Sequence, residues 1–173
     1  RQFQDEGWLR RRCWGRIVRV RSVILLTRMA RLPDWQVRLF RFLNDHRSTE
    51  LVYGEFDCVI GLVAGAVRAQ TGHDYAADHI GKYKDEISGL LYARRSGWEE
   101  GASTVDARLM GLMDHFLRRS DPARPHRGNI VMLYSEAGPG FGVRVSRIKA
   151  VALTPNGLAE FDIAPGSPEW SPC

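Results

Sequence analysis

The chain has 173 residues, 44% of them hydrophobic and 26% charged, and a formal net charge of +5. This composition excludes collagen-like and disordered classes, and the length suffices for one ordinary domain that folds without a metal or disulfide. Residues 1–28 hold eight Arg against Asp5 and Glu6, whereas the rest carries 17 basic and 18 acidic side chains. The body of the chain is therefore near neutral, and we expect no nucleic-acid binding by it.

Residues 1–28 form a basic leader whose longest apolar run has four residues, too few to cross a membrane. Arginines interrupt its apolar runs, which makes it a poor signal peptide. Met29 resembles a natural start. Three interpretations stay open: upstream sequence outside the native protein, a basic arm that docks on an acidic surface or nucleic acid, and an added amphipathic helix. We take residues 29–173 as a single domain without a membrane span.

Helices are expected in the first two-thirds of the body. Helical spacing of apolar residues predicts three of them, over 33–47, 58–69 and 104–119. The second is apolar almost all round, which is typical of a central, buried helix. Asp57 is a good N-cap for it, and Gly72 follows its last turn. Residues 74–96 are expected to form two short helices broken near Gly81.

Strands are expected in the last third. Apolar runs predict four short strands, over 129–134, 141–146, 149–154 and 158–163. Between the last two strands, Pro155-Asn156-Gly157 is a hairpin turn signal. Helices followed by an antiparallel sheet indicate the α+β class.

The most informative segment is Tyr53-Gly54-Glu55-Phe56-Asp57-Cys58, which runs into the apolar helix. It places a thiol at a helix N-terminus, where free backbone N–H groups and the helix dipole favour the thiolate. Cys58 is therefore a candidate nucleophile, with Asp57 shaping the site and Tyr53 in the cleft. The alternative is that Cys58 is a small buried residue in the first turn of a core helix.

This segment resembles the NlpC-type, papain-like cysteine peptidases, which cleave peptides of the bacterial cell wall. Asp57-Cys58 matches the start of their central helix, and Arg127-Gly128-Asn129 matches their turn into the first strand, with Asn129 in place of the usual Asp. The resemblance implies a papain-like fold, in which N-terminal helices pack on a small C-terminal antiparallel sheet.

Residues 33–163 resemble more closely a branch of uncharacterised proteins from tail-gene clusters of phages, prophages and gene transfer agents. The matching motifs, in chain order, are Thr71-Gly72-His73-Asp74, Gly81-Lys82-Tyr83, Gly97, Arg127-Gly128, Phe141-Gly142-Val143 and Asn156-Gly157-Leu158. Trp170 also suits this branch. The resemblance implies a component of the phage tail tip, its hub or baseplate.

The chain departs from the active peptidases where their catalytic base should stand. Their His begins the strand after the first hairpin, whereas this chain has Gly140 there. No His follows His126, which is the remaining weak candidate for a base. Without an imidazole near the sulfur, proton transfer to the leaving amine has no evident agent, and such transfer contributes about 10²–10⁴-fold to the rate.

The other polar clusters favour ordinary structural roles. His46 is expected to close the first helix, and His115 to lie at the edge of an apolar stripe. The segment containing His73, Asp74, Asp78 and His79 is expected to be a solvated helix start rather than a metal site. We expect neither metal nor cofactor, and Cys58 is expected to be a free thiol.

Three functional hypotheses follow. The first is a tail-tip protein whose peptidase-like fold is catalytically incomplete and whose role is structural, with other tail proteins as partners. The second is an active peptidoglycan endopeptidase or amidase in which Cys58 attacks. The third is a nucleic-acid binder that uses the basic leader. Under the first hypothesis, the protein resides in the bacterial cytoplasm during assembly and then in the virion tail.

Overall fold

Helices precede strands along the chain, so the predicted α+β class is confirmed. The computed structural model describes residues 30–98, 104–121, 123–136 and 138–173, and the leader and its three interpretations lie outside them. In this part of the chain there are four α-helices, α1 (Trp35–Asp45), α2 (Ala64–Thr71), α3 (Glu86–Arg95) and α4 (Val105–Phe116), with a π-helical turn (Cys58–Val63) leading directly into α2. No helix within these ranges is long and apolar enough to cross a membrane.

The six strands form one antiparallel sheet in the order β1-β6-β2-β3-β4-β5. They are β1 (Arg118–Arg119), β2 (Ile130–Ser135), β3 (Gly138–Arg144), β4 (Lys149–Thr154), β5 (Gly157–Asp162) and β6 (Glu169–Ser171). β2 pairs with the length of β3 from Gly138 to Val143, but β4 pairs with it only from Gly142 onward. The first half of β3 therefore has a β2 neighbour on one side and no β4 partner on the other.

The core lies between the central helix and one face of the sheet. The fully buried side chains in it are Leu62, Val63, Ala66, Val67, Met113, Ile130, Met132, Val143 and Trp170. Phe141 belongs to the same cluster, and Cys58 packs against it. A smaller cluster of Val131, Leu133, Ala150 and Ala152 covers the opposite face. The side-chain alternation of β2 and β3 produces these two faces.

Both predicted caps of the central helix are present. The Asp57 carboxylate accepts the N–H groups of Val59 and Ile60, and Gly72 ends α2 in the left-handed region at φ 78°. The first six residues of the helix are nonetheless π-helical. Both Gly61 and Leu62 donate their N–H groups to the Asp57 carbonyl, at 3.0 and 2.9 Å.

Two predicted helical regions differ from the structure. Of residues 74–96 only α3 is helical, because the preceding segment forms turns that bond to the 52–57 loop, with the Gly81 N–H 2.7 Å from the Gly54 carbonyl. The helix expected over 104–119 ends at Phe116. Arg118 and Arg119 instead pair with β6, and the Arg119 guanidinium stacks on the Trp170 ring at 4.5 Å.

Candidate functional site

The candidate site is built around the buried carboxylate of Asp57. Its Oδ1 accepts the N–H groups of Val59 (2.8 Å) and Ile60 (2.9 Å), which lack partners inside the helix. Its Oδ2 accepts the Gly54 N–H at 2.9 Å and the Tyr83 O–H at 2.5 Å. The one carboxylate therefore fixes the helix start, the turn before it and the loop that carries Tyr83.

Tyr83 is a member of the site that was not among the candidate residues predicted from the sequence. Its backbone crosses so close to Gly54 that an added Cβ there would lie 2.0 Å from the Tyr83 carbonyl oxygen, and Gly54 has φ +76°. Its ring packs on Tyr92 of α3, with centroids 5.9 Å apart. Burial, and then the neighbouring Asp57, raise the pKa of Tyr83, so the phenol stays protonated and donates. In the sequence, only the Gly81-Lys82-Tyr83 motif singled out this residue.

The Cys58 thiol lies at the N-terminus of the π-helical turn, in a half-buried residue that forms no disulfide. Its own backbone N–H and that of Phe141 are directed at the sulfur and lower its pKa. Burial and the Asp57 carboxylate outweigh them, and the pKa of Cys58 rises to about 12. The helix terminus therefore favours the thiolate as expected, but the loss of hydration and the adjacent carboxylate act more strongly in the opposite direction.

Tyr53 lies near the sulfur together with Glu86, the first residue of α3. Burial raises the pKa of Tyr53, and the charges of Glu86, Cys58 and Asp57 act in the same direction. Glu86 also acts on Cys58. The carboxylates of Asp57 and Glu86 both act on the thiol, and their negative charges favour neutral SH over S⁻.

None of the five histidines bonds or stacks with Cys58, and all five lie in described parts of the chain. The Nδ1–H of His46 donates to the Phe42 carbonyl at 2.8 Å. His79 bonds to the Tyr92 hydroxyl, and His115 packs on Trp98 and Phe116. His73 and His126 are exposed, and no contact places His126 beside the sulfur.

Gly140 directly precedes Phe141 on β3, and the backbone N–H of Phe141 is directed at the Cys58 sulfur. An added Cβ at Gly140 would meet no heavy atom within 4 Å, in contrast to Gly142, where it would clash with Leu133. A side chain at position 140 thus has open space. The strand can carry a larger residue there without displacing its neighbours.

Asn129, which stands where the NlpC-type peptidases that the sequence resembles usually have Asp, is fully buried and structural. Its Nδ2 donates to Glu169 Oε1 at 2.7 Å, and its Oδ1 accepts from the Arg31 guanidinium at 3.0 Å. Glu169 in turn pairs with Arg144 at 2.7 Å, with both side chains buried. This network connects β2, β3 and β6 and makes no contact with Cys58.

A cavity of about 100 Å³ lies beside the central helix, which consists of the π-helical turn and α2. Its walls include Phe42, His46, Phe56 and Arg68. The His46 ring stacks on Phe56, with centroids 4.9 Å apart. Cys58 is not among the lining residues, so this cavity is not a cleft for the thiol.

Comparison with protein-family models matches residues 30–171 to a domain of unknown function, DUF6950. No curated protein and no solved structure matches the chain. The match contains Asp57, Cys58, Tyr83 and Gly140, and the candidate site therefore lies within the family's shared region. Since the match covers most of the chain, the protein belongs to the DUF6950 family.

Proposed function

We propose that this protein is a papain-like, NlpC-type domain with an incomplete catalytic site, which serves as a structural component of a phage or prophage tail tip. The observation that carries the proposal is the setting of Cys58. Among the described residues no histidine contacts it, while loss of hydration and the adjacent Asp57 carboxylate raise its pKa.

Attack on a peptide carbonyl requires the thiolate. Since burial and the Asp57 carboxylate raise the pKa of Cys58 to about 12, the thiolate is only a minor form at pH 7. Active cysteine peptidases solve this problem with a nearby His that removes the proton and later returns it to the leaving amine. Tyr53 and Tyr83 do not replace it, because their raised pKa values keep both phenols protonated at neutral pH, so neither can accept the proton.

The contacts of the motif residues support a structural role. The Gly128 carbonyl accepts the Gln70 Nε2–H at 2.7 Å, which joins the Arg127-Gly128 turn to the central helix. An added Cβ at Gly128 would lie 2.3 Å from Gln70 Oε1, so only glycine fits. The residues on which the resemblance rests thus hold helix and sheet together.

The tail assignment rests on the resemblance of residues 33–163 to proteins of tail-gene clusters. Its partners would be neighbouring hub or baseplate proteins. The protein would be made in the bacterial cytoplasm and then be incorporated in the virion tail. In a phage or gene transfer agent that carries this gene, deletion should abolish tails, and a Cys58→Ala allele should restore them fully.

Alkylation provides the direct test of the thiol. Iodoacetamide labelling of the intact chain, followed by peptide mass spectrometry, should show slow reaction of Cys58 and fast reaction of the exposed Cys173 in the same sample at pH 7. Rapid labelling of Cys58 near neutral pH would contradict the proposal, as would loss of peptidoglycan turnover in Cys58→Ala.

An active cell-wall endopeptidase or amidase remains the second candidate, because two backbone N–H groups point at the sulfur of Cys58. It would need a base from His126 or from a partner chain. The variant Gly140→His, with Gly140→Ala as matched control, tests whether an imidazole at position 140 activates the Cys58 thiol. If the imidazole is the missing part, only the His variant should accelerate alkylation of Cys58.

A further inference from the structure

Helix α3 presents one face to the protein and leaves the opposite face uncovered. Gly89 packs against the Tyr83 ring, where an added Cβ would lie 3.1 Å from a ring carbon, and Ala93 is 5% exposed. On the other side Ile87 is 73% exposed and Leu91 is 47% exposed. These two aliphatic side chains are one turn apart and therefore project in the same direction.

Basic side chains extend this uncovered face. Arg94 and Arg95 follow Leu91 by three and four residues, which puts them one turn further along the same side. Lys84 is exposed just before the N-cap of the helix. Among the described residues, no ion pair involves any of these three cations.

Two acids stand at the start of the helix. Asp85 Oδ1 accepts the Ser88 N–H at 2.8 Å as the N-cap. Glu86 is exposed, and its charge contributes to the raised pKa of Cys58. The three cations outnumber these two acids, so this part of the surface carries a net positive charge beside two exposed aliphatic side chains.

We infer that this face, composed of Lys84, Ile87, Leu91, Arg94 and Arg95, docks on an anionic lipid bilayer. Such a surface offers phosphate groups to the cations and hydrocarbon to the two aliphatic side chains just above it. The face is the convex outside of a helix, which suits a broad, deformable surface. It carries no aromatic side chain on which nucleic-acid bases would stack.

Vesicle co-sedimentation of the full chain tests the inference. Wild type should partition onto vesicles of phosphatidylcholine and phosphatidylglycerol at 7:3 and much less onto pure phosphatidylcholine. Each cation near such a surface contributes about fivefold, so Lys84→Gln/Arg94→Gln/Arg95→Gln should lower the partition coefficient about 100-fold. Ile87→Gln/Leu91→Gln should lower it several-fold without any change of charge.

The controls account for the basic leader, which also attracts anionic lipid. Arg41→Gln/Arg124→Gln/Arg147→Gln removes the same charge from other exposed positions, and Val37→Gln/Phe40→Gln removes two exposed apolar side chains of α1. Equal loss in the α3 variants and their controls would overturn the inference. Binding to soluble polyglutamate without binding to vesicles would also overturn it and would indicate an acidic protein partner.

Discussion

Replacing Asp57 by Asn should destabilise the protein and at the same time make Cys58 more reactive. The amide oxygen of Asn can still accept the N–H groups of Val59 and Ile60. Its NH₂ group, however, would face two donors, the Gly54 N–H and the Tyr83 O–H, which now approach Oδ2 at 2.9 and 2.5 Å.

Each of these two bonds to a charged acceptor contributes about 1.5–3 kcal/mol, so Asp57→Asn should lower the free energy of unfolding by about 3–6 kcal/mol. That is a large fraction of the 5–15 kcal/mol typical of a domain. Urea denaturation followed by circular dichroism measures it. An unchanged urea midpoint would refute the idea that this carboxylate organises the site.

The thiol should respond to the lost charge in the same variant. Asp57 is the second cause, after burial, that raises the pKa of Cys58, so its removal should shift alkylation to lower pH. Tyr83→Phe is the matched control, since it breaks one bond to the carboxylate but keeps the charge. Equal acceleration in both variants would mean that loosening of the site, rather than the charge, controls the thiol.

Three further perturbations test the fold around the site. Gly61→Ala should cost about 1–3 kcal/mol in urea denaturation because its Cβ would lie 2.5 Å from a backbone Cα, whereas Gly140→Ala, in open space, should be neutral. Burial lowers the pKa of His79 below its ordinary 6.5, so the folded state binds fewer protons and its stability should fall as pH drops below 6.5. The variant His79→Gln should lose this contribution in the same urea assay. Glu169→Ala leaves the buried Arg144 unpaired and should cost about 3–5 kcal/mol, while the paired replacement Glu169→Leu/Arg144→Met should be milder in the same assay.

Local patterns predicted the parts of the fold that local forces determine. The cap at Asp57, the left-handed Gly72 and the apolar run between them specify the central helix whatever surrounds it. The strand over 149–154 follows from its apolar spacing and the turn at 155–157. In these segments propensity, capping and burial all favour the same structure.

Long-range contacts produce the features that could not be predicted from local sequence. Tyr83 reaches Asp57 across 26 positions, and nothing in its own neighbourhood indicates a bond to a carboxylate. Arg118 and Arg119 suit a helix terminus by charge and become a strand only because β6 returns beside them. The ionisation of Cys58 depends on how much water the assembled site excludes, which no local motif records.

The first half of β3 has no β4 partner, and Cys58 lies beside this unpaired strand edge. At Pro139 the strand has no N–H to offer an incoming chain, and at Phe141 the N–H is already directed at the sulfur. An exposed strand edge with free donors invites self-association between copies. Because neither Pro139 nor Phe141 offers a free donor on this side, this part of β3 is protected against such pairing.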